Sequence, residues 1–109
     1  GTELVKAEGE ELMKHVPESS LMVALDETGT QFTSPEFARW LESRQNSGIR
    51  MITFVVGGSE GLSRMISSRA HLLLSMGKMT WTHEMCRALL LEQLYRAMCI
   101  QRKIPYHRD

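Results

Sequence analysis

Apolar and polar positions along this chain fall into short blocks that read as alternating helices and strands. Leu21 to Leu25 (LMVAL) and Met51 to Val56 (MITFVV) are continuous apolar runs, the pattern of strands buried on both faces of a parallel sheet. Leu72 to Met76, ending at Gly77, predicts a third strand. Thr2 can cap a helix that runs to about His15, with Leu4, Val5, Leu12, Met13 and Val16 near one face. Glu27 to Thr33 reads as loop with Gly29 as its turn residue. Ser34-Pro35-Glu36 then offers a capping hydroxyl, a proline at the first helical position and an acid in the first turn. That helix buries Phe37, Trp40 and Leu41 and stops at Asn46-Ser47-Gly48. Two more helices are predicted, from about Leu62 to Arg69 and from about Glu84 to Arg102. The order α-β-α-β-α-β-α implies an α/β layer with a parallel sheet and right-handed crossovers.

The last predicted helix is apolar almost all round, through Met85, Cys86, Leu89, Leu90, Leu91, Leu94, Tyr95, Met98 and Ile100. Such a helix is buried on all sides, so it is wrapped by its own chain or packed against another subunit. A sheet of three strands likewise leaves two edges that need cover.

With 109 residues, 42% apolar and 24% charged, the chain is expected to form one globular domain over residues 1–109. No apolar run approaches the ~20 residues of a membrane span, and residues 1–16 are too acidic for a signal peptide. A cytoplasmic protein without membrane contact is the expectation. Cys86 and Cys99 lie 13 positions apart on one predicted helix, roughly 20 Å at the helical rise, too far for a disulfide. They read as reduced thiols. No Cys or His stands at zinc-ligand spacing, so no metal is expected.

Zero net charge hides an asymmetry. Residues 1–60 carry ten acids and five bases, net −5, whereas residues 61–109 carry eight bases and three acids, net +5. That weakly suggests a polyanionic partner on the basic side, although unlike solvated helix faces explain it more simply.

In open parallel sheets, ligands bind beyond the carboxyl ends of strands. Here those ends are Leu25-Asp26, Val56-Gly57-Gly58 and Met76-Gly77. Gly57, Gly58 and Gly61 lack the dinucleotide spacing and the P-loop ending, and a Gly-rich turn is more often just a turn. Glu60 there would repel a pyrophosphate and favour a ligand with positive charge or none. Glu92 and Arg96, at i and i+4, are either a structural ion pair or part of a site. Tyr106, His107 and Arg108 could stack a base and contact phosphate, but disorder is the default for a terminal tail. His83 reads as a surface or cap residue, His15 and His71 carry no supporting partner, and Ser59 is not in a nucleophile elbow. The eight Met fill the core.

The segments VALDETGTQFTSPEFARWL, FVVGGSEGLS and LLLEQLYRAMCIQRKIPYHRD resemble the ribosomal RNA large subunit methyltransferase H family, of the SPOUT or α/β-knot superfamily. Four ordered motifs, LD-x7-SP, GG-x-EG-LS, LYRA and PYHR, carry the likeness over residues 21–109. It implies transfer of a methyl group from S-adenosylmethionine to N3 of a pseudouridine in 23S rRNA, on the assembled ribosome, by a homodimer. It also implies a C-terminal helix threaded through a trefoil knot at the dimer interface. By the same resemblance the cofactor would lie on Leu25, Gly57, Gly58 and the loop Gly77, Lys78, Met79, Thr80, Trp81 and Thr82. Tyr106, His107 and Arg108 of one subunit would complete the site of the other, supported by Arg96 and Glu92. His107 is the preferred residue for proton transfer or orientation. His83 matches a family histidine. The chain departs from the pattern in GKMTWT and Glu84, where a proline-flanked version is common, and in lacking the family's N-terminal strands. A knotted fragment that dimerises or contacts RNA without turnover is the alternative.

Overall fold

The structure is a computed structural model that describes residues 14–57 and 64–108. The helix expected over 2–15 lies almost wholly outside the described residues, as do Gly58 and Leu62. The elements in chain order are β1 (Leu21–Thr30), α1 (Ser34–Asn46), β2 (Ile52–Val56), α2 (Arg64–Arg69), β3 (Leu72–Leu74) and α3 (His83–Gln101). The three strands are parallel in the order β2-β1-β3. Every strand and helix expected within the described residues is present, and the parallel α/β layer is as predicted.

The continuous apolar runs follow from burial of both sheet faces. Alternate residues of β1 point to opposite sides. Val23 and Leu25 pack with Phe37, Ala38 and Leu41 of α1 and with Leu90 and Ala97 of α3. Met22 and Ala24 pack with Val55 and with Ile66 of α2. Val23 and Ala24 are 0% exposed, so β1 is fixed from four directions and holds the other strands in line.

Four expectations are corrected. First, β1 does not end at Asp26 but runs to Thr30. After an irregularity following Leu25, Thr30 pairs again with Leu74, and Ser75 N donates to Thr30 O at 2.8 Å. Gly29 is therefore no turn residue. A Cβ there would lie 2.5 Å from the Leu73 carbonyl oxygen, so this stretch reaches β3 only because position 29 has no side chain. Second, β3 closes at Leu74 rather than Met76, because Ser75 turns the chain with its hydroxyl, accepting from Gly77 N at 3.1 Å.

Third, the cap of α1 is Thr33, not Ser34. Thr33 Oγ1 accepts from Glu36 N at 3.2 Å while Glu36 accepts from Thr33 N at 2.7 Å, a complete capping box. The Thr33 backbone bond holds the Glu36 carboxyl below the usual carboxylate range. Fourth, α3 is not buried on all sides. Leu90, Ala97 and Cys99 are buried, but Met85, Leu91 and Tyr95 are about half exposed along one face. His71, which lacked a partner by sequence, accepts from Met22 N at 2.9 Å and pins the start of β3 to β1. His15 too takes part in an interaction.

Replacing Gly29 with Ala is expected to destabilise the fold by about 1–3 kcal/mol, the usual cost of forcing an atom into packed backbone. A urea titration of wild type and Gly29→Ala should show a lowered midpoint with an unchanged slope; equal midpoints would contradict the close approach.

Candidate active site

The carboxyl ends of the three strands open on one cleft of about 510 Å³. Leu25, Asp26 and Glu27 enter it from β1, Val56 and Gly57 from β2, and Met76 and Gly77 from beyond β3. Met79, Thr80, Trp81 and Thr82 form the outer wall, and His83 and Cys86 on the first turn of α3 close it. Of the residues expected at a cofactor site, Leu25, Gly57, Gly77, Met79, Thr80, Trp81 and Thr82 thus share one space. Lys78 is exposed and does not line it, and Gly58 is outside the described residues.

Hydrogen bonds hold the rim in shape. Thr80 Oγ1 donates to Glu27 Oε2 at 2.8 Å, which draws the outer wall to the end of β1. Thr82 caps α3 by accepting from Met85 N at 3.2 Å. His83 Nδ1 lies 2.6 Å from Gly57 O; a carbonyl only accepts, so Nδ1 carries the proton and joins α3 to the end of β2. Sequence reasoning gave His83 no role beyond a cap or surface position, because nothing local points to Gly57. Gly77 has φ +127°, a backbone that L side chains rarely adopt. Burial pushes the Cys86 thiol up, so it acts as apolar wall. Asp26 and Glu27 contribute two carboxylates, and none of the described lining residues is Lys or Arg.

The second expected group gathers elsewhere. At the end of α3, Lys103 adopts φ +58°, with Lys103 N bonded to Ile100 O at 3.3 Å and Ile104 N to Cys99 O at 2.8 Å. This is a Schellman turn with Lys where Gly is usual, and it folds the tail back on α3. Against the default of disorder, the tail is packed. Tyr106 lies 4.9 Å beneath the Arg96 guanidinium and edge-on to Tyr95 at 4.9 Å. Glu92 Oε1 accepts from Arg96 Nε at 3.0 Å, from Arg96 Nη2 at 2.5 Å and from Tyr106 at 3.3 Å. Arg96 Nη1 lies 3.0 Å from His107 Nδ1. A guanidinium only donates, so Nδ1 is the acceptor and the proton of the neutral ring sits on Nε2. Arg108 is exposed at the edge.

The two groups are separate within one chain. His83 in the cleft and Glu92 are nine residues apart on α3, roughly 14 Å along the axis. The sequence profile described as "Predicted SPOUT methyltransferase" matches residues 2–107. The chain belongs to the SPOUT methyltransferase family.

This SPOUT chain is similar to proteins named "Ribosomal RNA large subunit methyltransferase H". It is 44% identical to that of Carboxydothermus hydrogenoformans over 105 residues, 96% of this chain and 66% of the relative. It is 44% identical to that of Geotalea daltonii over 100 residues, covering 92% and 65%. Against that of Paramagnetospirillum magneticum it is 44% identical over 108 residues, covering 99% and 71%. The chain thus spans about two thirds of the length of the relatives it matches. Among the described residues of this SPOUT fold no group of three His, Cys, Asp or Glu is placed to hold a metal, and no helix is long and apolar enough to cross a membrane.

Arg96 holds the Glu92 carboxyl below the usual carboxylate range, chiefly through its hydrogen bond. A carboxyl with a depressed folded pKa contributes its stabilisation above the ordinary value and loses it as pH falls through the folded one. The Tyr106 ring resonances should therefore move toward free-tyrosine positions only on acidification below the ordinary glutamate range. In Glu92→Gln that titration should be absent; an identical acid transition in both proteins would contradict the ion pair as its source.

Proposed function

We propose that this chain transfers a methyl group from S-adenosylmethionine to N3 of a pseudouridine in 23S rRNA of the assembled ribosome, acting as a homodimer. Residues 1–109 serve as one SPOUT domain in the compartment that holds the ribosomes, a bacterial-type cytoplasm. The observation that carries this reading is the split site. Seven of the nine expected cofactor residues line one cleft, while Glu92, Arg96, Tyr106 and His107 are assembled roughly 14 Å further along α3. A second copy, placing its tail at the cleft of the first, reunites them.

The residues of the cleft suit the group. Bound there, S-adenosylmethionine supplies an electrophilic methyl on a positively charged sulfur. Asp26 and Glu27, with no Lys or Arg among the described lining, favour a cation and disfavour a polyphosphate. Leu25, Val56, Met76 and Trp81 offer apolar surface, and the Thr80–Glu27 and His83–Gly57 bonds hold the rim in place.

N3 of a pseudouridine is an imide nitrogen that must lose its proton before its lone pair can attack. The contribution of the tail is to position and favour that anion. His107 holds its Nδ1 on Arg96 and its proton on Nε2, so it orients the base by donating rather than by taking the proton through Nδ1. Tyr106 provides a stacking face and Arg108 a contact for phosphate or base. The exposed face of α3 through Met85, Leu91 and Tyr95 offers the second copy an apolar seat, and threading of α3 through a trefoil knot belongs to the same reading.

Calorimetry should detect S-adenosylmethionine binding, and ribosomes lacking the mark should be methylated. His107→Ala with Arg108→Ala should abolish transfer while leaving cofactor binding intact. Gly77→Val, strained at φ +127°, should lose binding. Refolded together, the two inactive variants should regain about a quarter of wild-type activity, because half of randomly formed dimers would carry one intact composite site. A mixture as inactive as its parents would refute the shared site.

A further inference from the structure

Gln93 follows Glu92 on α3, where that helix meets the start of α1. Ser34 Oγ donates to Gln93 Oε1 at 2.8 Å, and Gln93 Nε2 donates to Glu92 Oε2 at 3.0 Å. The two ends of an amide are not equivalent. The carboxylate of Glu92 only accepts, so Gln93 turns its N–H end toward Glu92 and its Oε1 toward Ser34, whose hydroxyl donates to it and anchors the amide. The jobs of Glu92 are thereby divided: Oε2 serves Gln93, while Oε1 serves Arg96 and Tyr106. Arg96 then spends Nη1 on His107. An unbroken polar chain runs from the first turn of α1 to the imidazole, through Ser34, Gln93, Glu92, Arg96 and His107.

The Glu92 side chain is 37% exposed, and a long side chain in that setting keeps rotamer freedom unless a second bond removes it. Gln93 supplies that bond. It also lines a cavity of about 280 Å³ with Phe32, Phe37, Met76 and Gly77, and Met76 and Gly77 are shared with the larger cleft. Gln93 thus stands between the cleft of its own chain and the tail cluster.

We propose that Gln93 is a positioning residue for methyl transfer: by fixing the plane of the Glu92 carboxylate it sets, through Arg96, the tautomer and orientation of His107, and Ser34 sets Gln93. The proposal rests on the reading that the tail completes the reaction site. Gln93→Glu tests it most directly, since the isosteric side chain turns a carboxylate oxygen toward Glu92 and replaces a hydrogen bond with like-charge repulsion. Ser34→Ala removes only the second anchor of the amide, and Ser34→Thr retains the hydroxyl.

Two readouts separate positioning from mere structure. Imidazole ¹⁵N shifts in the purified protein should report His107 neutral with the proton on Nε2 in wild type. That signature should be lost in Gln93→Glu, weakened in Ser34→Ala and kept in Ser34→Thr. Single-turnover methylation of unmodified ribosomes should slow about tenfold or more in Gln93→Glu, with calorimetric affinity for S-adenosylmethionine unchanged. Wild-type ¹⁵N shifts in Gln93→Glu, or altered shifts with an unaltered transfer rate, would overturn the proposal. Should the wild-type chain transfer no methyl at all, the proposed activity fails by itself, and the ¹⁵N comparison alone decides whether Gln93 holds His107. Ser34→Ala gives the same decision if Gln93→Glu does not fold.

Discussion

The seating of α3 is the contact on which the rest depends. Leu90 and Ala97 join the core formed by Val23 and Leu25 of β1 and by Phe37, Ala38 and Leu41 of α1, and Cys99 is fully buried one turn before the tail reverses. Both halves of the candidate site hang from this one helix. Its first turn brings His83 and Cys86 to the cleft, and its last turns carry Glu92, Arg96 and the Schellman turn that folds Tyr106 and His107 back. Because interiors pack densely and adjust poorly, a displacement of α3 by an ångström would move the cleft wall and the tail cluster together.

The charge asymmetry gains a physical location. Asp26 and Glu27, from the acidic half, stand at the cleft; Arg96, Lys103 and Arg108, from the basic half, stand along the tail. A cleft bordered by carboxylates and a tail bordered by cations repel different partners, and they suit a cationic donor and an anionic acceptor respectively. Overall neutrality keeps these fields local. The same division is what the proposed reaction asks for, with a sulfonium on one side and rRNA on the other.

Much of the architecture was legible residue by residue. LMVAL, MITFVV and LLLSM announce strands covered on both faces, and the rule that parallel sheets bind ligands at their carboxyl ends led to Leu25, Gly57 and Gly77, which do line one cleft. The departures share one cause. Asp26 to Thr30 looks like loop because no local signal tells that Gly29 slides past Leu73. Ser34 has the chemistry of a cap, yet Thr33 takes the role and leaves the Ser34 hydroxyl for Gln93, 59 residues away. The tail has a disordered composition, yet Arg96 and Tyr95 hold it.

By itself, then, the sequence determined the order and type of the elements, the two-sided burial of the sheet and the end of it that opens on a cleft. Those properties follow from periodicity and from the side chains of near neighbours, which a linear reading contains. Only the tertiary structure decided the length of β1, the bond of His83 to Gly57, the exposed face of α3 and the tautomer of His107. Each of these is set by a hydrogen bond or a packing contact between groups far apart in the chain. Which distant donor meets which acceptor depends on how packed layers settle against one another, and no local pattern encodes that.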